Sequence, residues 1–102
     1  MSERKRKCEL RLYLSKTSPL ARKATENLAK LLQLNPGVIV KVVDVRQQPA
    51  LARRDDVLAT PCLIRISPTP RLRIVGTFND LSRVARLFGL QEGKGKESKG
   101  LI

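Results

Sequence analysis

The chain has 102 residues, of which 21 are Lys or Arg and 9 are Asp or Glu, so its formal net charge is +12 at pH 7. This length is enough for one domain with a single core and excludes a second domain. The sequence contains no His and only two Cys, which excludes a His-bearing metal site and a tetrahedral thiolate site.

The net charge narrows the kinds of partner that the chain is expected to bind. A strongly basic chain is drawn to nucleic acid, to anionic lipid or to an acidic protein surface. Residues 1–7 are mostly charged and no long apolar segment follows them, so we expect neither a signal peptide nor a membrane-spanning helix. The composition therefore predicts a folded cytoplasmic protein without a metal or a cofactor.

The first half of the chain predicts a strand, a helix and a second strand. Leucines at every second position in residues 8–14 indicate the first strand. Ser18 followed by Pro19 is typical of a helix N-terminus, and the Asn-Pro-Gly at residues 35–37 ends that helix. Residues 38–45 (VIVKVVDV) are β-branched and apolar on both faces, which predicts a central strand. Strands joined by such a helix run parallel.

A second helix is predicted to begin at Pro49 and to run through residue 58. Its apolar face is thin, because only Leu51, Val57 and Leu58 lie on it. Its solvent side carries four charged residues, Arg53, Arg54, Asp55 and Asp56. We expect the two Asp to form surface ion pairs with neighbouring Arg and to need no further role.

The remaining residues predict a hairpin and a last helix. Residues 62–67 and 71–76 alternate in polarity on either side of a Pro-Thr-Pro turn, which indicates two antiparallel strands. Asn79 or Asp80 caps the helix that follows. We place Gly89 inside the last turn of this helix, because Leu90 continues its apolar face. The alternative is that Gly89 is a left-handed cap just after the helix.

The order β-α-β-α-β-β-α, with a proline directly before the third strand, is that of a thioredoxin-like α/β domain. A thioredoxin holds a Cys-x-x-Cys pair after its first strand, where this chain has the residues KTSP at 16–19. The redox pair is therefore missing. We assign residues 1–90 to the domain and predict that residues 91–102, which contain GKGKESKG, form a basic disordered tail.

Several short segments occur in one order along residues 10–90. They are LRLYL at 10–14, Ser-Pro at 18–19, VVDV at 42–45, VLATPCL at 57–63 and PRLRIVG at 70–76. Together they resemble the KaiB family of circadian clock proteins. The LATP run, followed by a proline-rich turn and an RIVG strand, is the most specific part of the resemblance.

The resemblance implies a non-enzymatic regulator that binds KaiC, a hexameric RecA-type ATPase, with a KaiA-like adaptor or a histidine kinase as a further partner. It also implies two folds: a homotetramer whose C-terminal half has its own topology, and a thioredoxin-like monomer that the ATPase binds. Because its apolar face is thin, the sequence of the second helix favours a helical structure only weakly. A chain that adopts two folds requires such a weak local preference.

Partner contacts in the family use basic residues, and the matching positions lie on the first helix, the second strand and the fourth strand. The family's lysine before the LATP run is Asp56 here, with Arg53 and Arg54 just upstream, so the charge has moved or reversed. The familiar members end in an acidic tail, and this chain does not, which suggests an altered partner. The candidate partner-binding residues are Arg22, Lys23, Lys41, Arg54 and Arg73.

Four residues are candidates for a conformational switch: Pro61, Pro68, Pro70 and Gly89. The thioredoxin-like position of Pro61 favours a cis peptide bond, and the alternative is a trans proline that only begins a strand. Pro68 and Pro70 are turn formers first and switch candidates second.

Two other functions remain open from the residues themselves. A thioredoxin-like oxidoreductase would depend on Cys62, but with no nearby Cys and no His this residue is expected to be a small buried hydrophobe. A nucleic-acid-associated protein would use the basic surface. Only Tyr13, Phe78 and Phe88 are aromatic and no nucleic-acid-binding motif is present, which disfavours this second function.

Overall fold

The computed structural model describes residues 8–90, so the predicted basic tail at 91–102 lies outside the described residues. The elements follow the predicted order. They are β1 (Glu9–Leu14), α1 (Pro19–Leu34), β2 (Ile39–Asp44), α2 (Pro49–Arg54), β3 (Cys62–Ser67), β4 (Leu72–Val75) and α3 (Leu81–Phe88). The predicted thioredoxin-like order of elements is confirmed.

The four strands form one sheet in the order β2-β1-β3-β4. β1 and β2 are parallel, and β3 and β4 form an antiparallel hairpin, as predicted. The prediction that β2 is central was wrong, because β2 lies at the edge of the sheet that residues 8–90 form, and its Ile39 and Val42 are 49% and 45% exposed. An apolar β-branched run describes the two faces of a strand and carries no information about its lateral neighbours. Here β1 takes the central place because β3 pairs with its other side.

The sheet is covered unequally on its two faces. One face carries the leucines of β1, and α1 and α3 pack over it with Leu28, Leu31, Val84 and Phe88. The other face carries Tyr13, which alternates with those leucines, and among the helices of residues 8–90 it is covered by α2 alone. The cluster on this second face is small. It consists of Tyr13, Val43, Ala52, Cys62 and Ile64, with four partly buried neighbours.

Helix α2 is shorter than predicted. It ends at Arg54, and Asp56 has a φ of 55°, a left-handed conformation that cannot continue a helix. Leu58, which was predicted to lie on the apolar face of this helix, is 96% exposed instead. The one buried residue of α2 is Ala52, so apolar burial alone holds this helix weakly.

Arg65 is buried on the face covered by α1 and α3, which the alternating pattern of β3 did not reveal. Its guanidinium donates to the Phe88 carbonyl at 3.0 Å and to the Pro70 carbonyl at 2.9 Å. The first of these carbonyls lies at the C-terminus of α3, where the helix dipole favours a cation. Arg65 therefore joins β3 to the end of α3 and to the β3–β4 turn.

The proline switch candidates lie at the two ends of β3. The peptide bonds before Pro61, Pro68 and Pro70 are all cis. Pro61 is fully buried, and its carbonyl accepts a hydrogen bond from the Gly76 N–H at 2.8 Å. The role of the three prolines in a switch stays a prediction.

Gly89 lies outside α3, so its predicted place inside the last helical turn was wrong. It has a φ of 74° and ends the helix in the left-handed conformation. Its N–H donates to the Arg86 carbonyl, and the Leu90 N–H donates to the Ala85 carbonyl, which is the Schellman pattern. Leu90 is apolar because it packs back against the core after this turn, and not because the helix continues.

One buried carboxylate fixes the end of α2 to the sheet. The Asp55 side chain is 2% exposed and accepts from Arg11 of β1 at 2.7 Å, from Arg71 at 3.0 Å and from the Tyr13 hydroxyl. Arg73 of β4 donates to the Asp55 main-chain carbonyl at 2.7 Å. Asp55 therefore pairs with Arg, as predicted, but its carboxylate is buried and its partners are the distant Arg11 and Arg71 instead of its neighbours in the sequence.

The hydrogen bonds decide the ionisation of Asp55. Burial by itself raises the pKa of the Asp55 carboxyl, but the bonds from Tyr13, Arg11 and Arg71 outweigh it and hold the pKa below its usual value. Burial and the bond to Asp55 together raise the pKa of the Tyr13 phenol, so the phenol stays the donor. Asp55 is thus a carboxylate surrounded by donors.

We predict that Gly89→Ala lowers the free energy of unfolding by about 1–2 kcal/mol, because a Cβ is penalised in the left-handed conformation. The added Cβ meets no closer atom than an Arg65 guanidinium nitrogen at 3.7 Å, so the conformation and not a clash sets the cost. Gly37→Ala is the matched control, since Gly37 has open space around it and no positive φ. Equal midpoints for the two variants in thermal unfolding followed by circular dichroism would contradict this account of Gly89.

We predict that Asp55→Asn lowers the free energy of unfolding at pH 7 by about 3 kcal/mol, the lower end of the cost of unpairing a buried charge, because Asn keeps one acceptor. The folded pKa of Asp55 is lowered, so this stabilisation is complete above the unfolded pKa of about 3.9 and is lost as the pH falls through the folded value. Urea unfolding at several pH values measures the difference from the wild type.

The matched control for this charge is Asp56→Asn. Asp56 is exposed, and Asn tolerates its left-handed φ, so we expect a change within about 0.5 kcal/mol. If the two substitutions destabilise the protein equally, or if the Asp55→Asn deficit is the same at pH 3 as at pH 7, the carboxylate does not fix α2 as described.

Candidate functional site

The face of the sheet under α2 carries a row of basic side chains. Strand register places Lys41 of β2 beside Arg11 of β1, then Ile64 of β3, then Arg73 of β4. Residues in register lie on the same face of a sheet, so three cations occupy one row across it. Because α2 is only 6 residues long, it leaves the ends of the row at Lys41 and Arg73 exposed.

Lys41 and Arg54 line one cleft between β2 and α2. The cleft has a volume of about 640 Å³, and its other polar side chains are those of Gln47 and Gln48. An ammonium, a guanidinium and two amides can all donate hydrogen bonds to a carboxylate. The cleft therefore has the chemistry of a receptor for acidic side chains of a partner.

Arg73, which was predicted to bind a partner, has both of its guanidinium amino groups engaged inside the chain. They donate to the main-chain carbonyls of Asp55 and Asp56, at 2.7 and 2.9 Å. These carbonyls follow the end of α2, and Arg73 thereby positions that end. Neutral carbonyls leave its positive charge uncancelled, so Arg73 still adds to the potential of this face.

Arg22 and Lys23 lie on α1, which packs on the opposite face of the sheet. Arg22 lines a separate groove of about 580 Å³ along β2, whose other lining residues include Lys16 and Val42. Lys23 is exposed on the same helix. The structure thus brings two of the five predicted residues, Lys41 and Arg54, into one cleft, and it places Arg22, Lys23 and Arg73 elsewhere.

Sequence reasoning missed Arg11, Gln47 and Gln48. Arg11 lies between Lys41 and Ile64 on the α2 face, and its ion pair with Asp55 places a guanidinium under the helix. The two Gln lie in the loop between β2 and α2, directly before Pro49, and line the cleft from there. The only sequence signal for Arg11 is its position two residues before Tyr13, on a face that the pattern did not mark as buried.

Both cysteines are free, and neither is an activated nucleophile. Cys62 is buried, and burial raises the pKa of its thiol, an effect that Arg73 only partly offsets. Burial likewise raises the pKa of Cys8, partly offset by Arg65. The prediction that Cys62 is a small buried side chain is confirmed.

Residues 8–90 contain neither a cluster of metal-ligand side chains nor a long apolar helix. No group of His, Cys, Asp or Glu side chains in this part of the chain is placed to hold a metal ion. No described helix is long and apolar enough to cross a membrane.

Solved structures show that the fold is shared widely. Mitochondrial thioredoxin 3 from Saccharomyces cerevisiae is similar with a TM-score of 0.69 and 18% identity, over 80% of this chain and 76% of the thioredoxin. The N-terminal domain of Synechococcus elongatus SasA is similar with a TM-score of 0.69 and 22% identity, over 92% of this chain and 94% of that domain. At these sequence identities, both similarities concern the fold alone.

Sequence comparison is more specific. The circadian clock oscillator protein KaiB of Synechococcus sp. (strain RCC307) is 42% identical over 83 residues, which are 79% of this chain and 74% of that protein. KaiB of Prochlorococcus marinus (strain MIT 9312) is 41% identical, over 79% of this chain and 77% of the relative. The family model described as the KaiB domain matches residues 11–90. The chain, with a thioredoxin-like fold and no Cys-x-x-Cys pair, therefore belongs to the KaiB family.

Proposed function

We propose that the protein is a clock regulator that binds a KaiC-type RecA-like ATPase hexamer through the cleft between Lys41 and Arg54. The observation that carries this proposal is the meeting of these two cations in one cleft on a member of the KaiB family. The relatives are named circadian clock oscillator proteins, which supports a role in timing. The protein acts in the cytoplasm and changes the regulatory state of the ATPase without catalysing a reaction.

The cleft suits an acidic surface on the ATPase. Lys41 lies on a strand and Arg54 at the end of α2, which Asp55 and Arg73 fix to the sheet. Because the main-chain positions of both residues are fixed before binding, the entropic cost of recognising a carboxylate is confined to the two exposed side chains. The net charge of +12 accelerates the encounter with an acidic surface and makes its rate depend on salt.

Regulation follows from competition. A KaiA-like adaptor or a histidine kinase with overlapping contacts on the ring is displaced or recruited when this protein binds. The family's lysine before the LATP run is Asp56 here. The positive charge is supplied by Arg54, two residues earlier in the sequence. This relocated charge favours an ATPase whose acidic residues are placed to match it.

We predict that Lys41→Glu and Arg54→Glu each weaken binding to a KaiC-type ATPase by more than about 1 kcal/mol, because juxtaposed like charges at an interface cost several kcal/mol. Binding kinetics on the assembled hexamer at two salt concentrations measure the change. The matched control is Lys30→Glu, an exposed lysine on α1 away from the cleft.

The control separates the cleft from general electrostatics. If Lys30→Glu weakens ATPase binding as much as the cleft substitutions do, the interface lies elsewhere. Duplex DNA serves as the second ligand, and we expect its affinity to fall equally for all three variants, since non-specific binding counts the phosphates neutralised. A loss of DNA affinity confined to the cleft variants would favour a nucleic-acid function.

We predict that the protein reduces insulin disulfides no faster than its Cys62→Ala variant, because burial raises the pKa of the Cys62 thiol and keeps it protonated at neutral pH. Insulin turbidity with dithiothreitol as reductant measures the rate. Activity that disappears on Cys62→Ala would establish an oxidoreductase and contradict the proposal of a non-enzymatic regulator.

A further inference from the structure

The outer edge of β4 is open within residues 8–90, since β3 is its only neighbouring strand there. The Gly76 N–H donates to the Pro61 carbonyl across the hairpin. Bonded pairs in an antiparallel ladder recur at every second residue, so Leu72 and Ile74 direct their main-chain groups to β3. The main-chain N–H and C=O groups of Arg73 and Val75 therefore face outward, where another strand could pair with them.

A groove of about 390 Å³ runs beside this edge, between β4 and α3. Phe78 and Val84 form its buried apolar floor. Val75 and Leu87 stand at its sides and are 58% and 48% exposed. The groove thus places exposed apolar surface directly next to unpaired main-chain groups, which is the combination that strand addition uses.

The charge around the edge is positive. Arg71 and Arg73 project on the α2 face, where the carboxylate of Asp55 is shared with Arg11 and the exposed Asp56 lies beside Arg73. Arg83 is exposed on the groove side, and Asp80 beside it is occupied as the cap of α3, accepting from the Arg83 main-chain N–H at 3.1 Å. With Arg11 counted beside the carboxylate it shares, four guanidinium groups stand against the three carboxylates of Asp55, Asp56 and Asp80, so the charge along this edge stays positive.

We propose that the β4 edge binds an extended acidic peptide of a partner protein, which adds to the sheet as a fifth strand. Side chains of a strand alternate between the two faces of a sheet. The peptide's residues on the Arg71 and Arg73 face are acidic, and those on the other face are apolar and contact Phe78, Val84 and Leu87. This surface lies at the opposite edge of the sheet from the Lys41–Arg54 cleft and does not depend on the function proposed for that cleft.

The charge also selects against two other occupants. Pairing of β4 with β4 of a second copy would bring the Arg71 and Arg73 side chains of both copies together, and like charges across a strand pair are destabilising. Residues 91–102 of the chain contain three Lys and two Glu, so their net charge has the same sign as the edge. An acidic segment from another protein fits better than either.

The probe is an acetylated and amidated hexapeptide of alternating Glu and Val, titrated into the ¹⁵N-labelled full chain. We expect shifts of the Arg73 and Val75 amides and slower hydrogen exchange at these two N–H groups on binding. Two comparison peptides are Lys-Val alternation and a block of three Glu before three Val. We expect both to bind about ten-fold or more weakly than the alternating acidic peptide, because they lose the charge match or the alternation.

Leu87→Glu tests the groove without touching the strand. It removes apolar contact and adds a like charge, so we expect about a ten-fold loss of affinity for the acidic peptide. Leu20→Glu is the matched control, because Leu20 of α1 is also 48% exposed and lies outside the groove. Its affinity is expected to equal that of the wild type.

Four results would overturn the proposal: no binding of the acidic peptide, equal affinities for the two leucine variants, amide shifts at the other open edge on β2, or Arg73 and Val75 amides already protected in the free protein. Protection that disappears on dilution would assign the edge to a second copy. Protection that persists on dilution would assign it to another part of the same chain.

Discussion

The placement of α2 depends on the carboxylate of Asp55. A helix of 6 residues is far below the length that is stable by itself, and α2 buries only Ala52. Its end is held because Asp55 accepts from Arg11, Arg71 and Tyr13, while Arg73 binds the carbonyls of Asp55 and Asp56. Since Arg54 directly precedes Asp55, the same contacts fix the main-chain position of the residue that lines the cleft with Lys41.

The unequal coverage of the sheet explains why the charged surfaces lie where they do. α1 and α3 cover one face of the sheet, and the larger part of the core lies between them and this face. Within the described part of the chain, the other face has only α2 over its centre, so strand residues at both edges are in contact with solvent there. Long basic side chains suit such positions, because their stems cover apolar surface and their charges stay hydrated. The face of the sheet that α2 covers only in part is therefore a basic surface.

Local patterns predicted the elements because each signal is local. Ser18 before Pro19 begins α1, and the Ser18 hydroxyl accepts from the Leu20 N–H at 3.1 Å as such a cap should. The pairing order of strands is not local, so β2 was placed in the centre of the sheet. Gly89 was placed inside α3 for a similar reason. An apolar residue at position 90 fits both a longer helix and the contact that follows a Schellman turn.

The site was predicted only in part because its contacts join distant segments. Asp55 lies 44 residues from Arg11 and 16 from Arg71, and an Asp beside another Asp and two Arg looks like a solvated surface. Lys41 and Arg54 were found through family resemblance, and their meeting in one cleft depends on the path of the chain through Gln47 and Gln48. The resemblance could match positions, but it could not show that the Arg73 guanidinium is occupied within the chain.

The Asp55 contacts also bear on the second topology that the family resemblance implies. They join Arg11 and Tyr13, in the first half of the chain, to Asp55, Arg71 and Arg73 in the second half. A different arrangement of the second half has to re-form these contacts or forgo them. If it forgoes them, Asp55 must regain solvent, because an unpaired carboxylate in the interior costs several kcal/mol. Any alternative fold of this chain would therefore have to bring residue 55 to water or to a new cation.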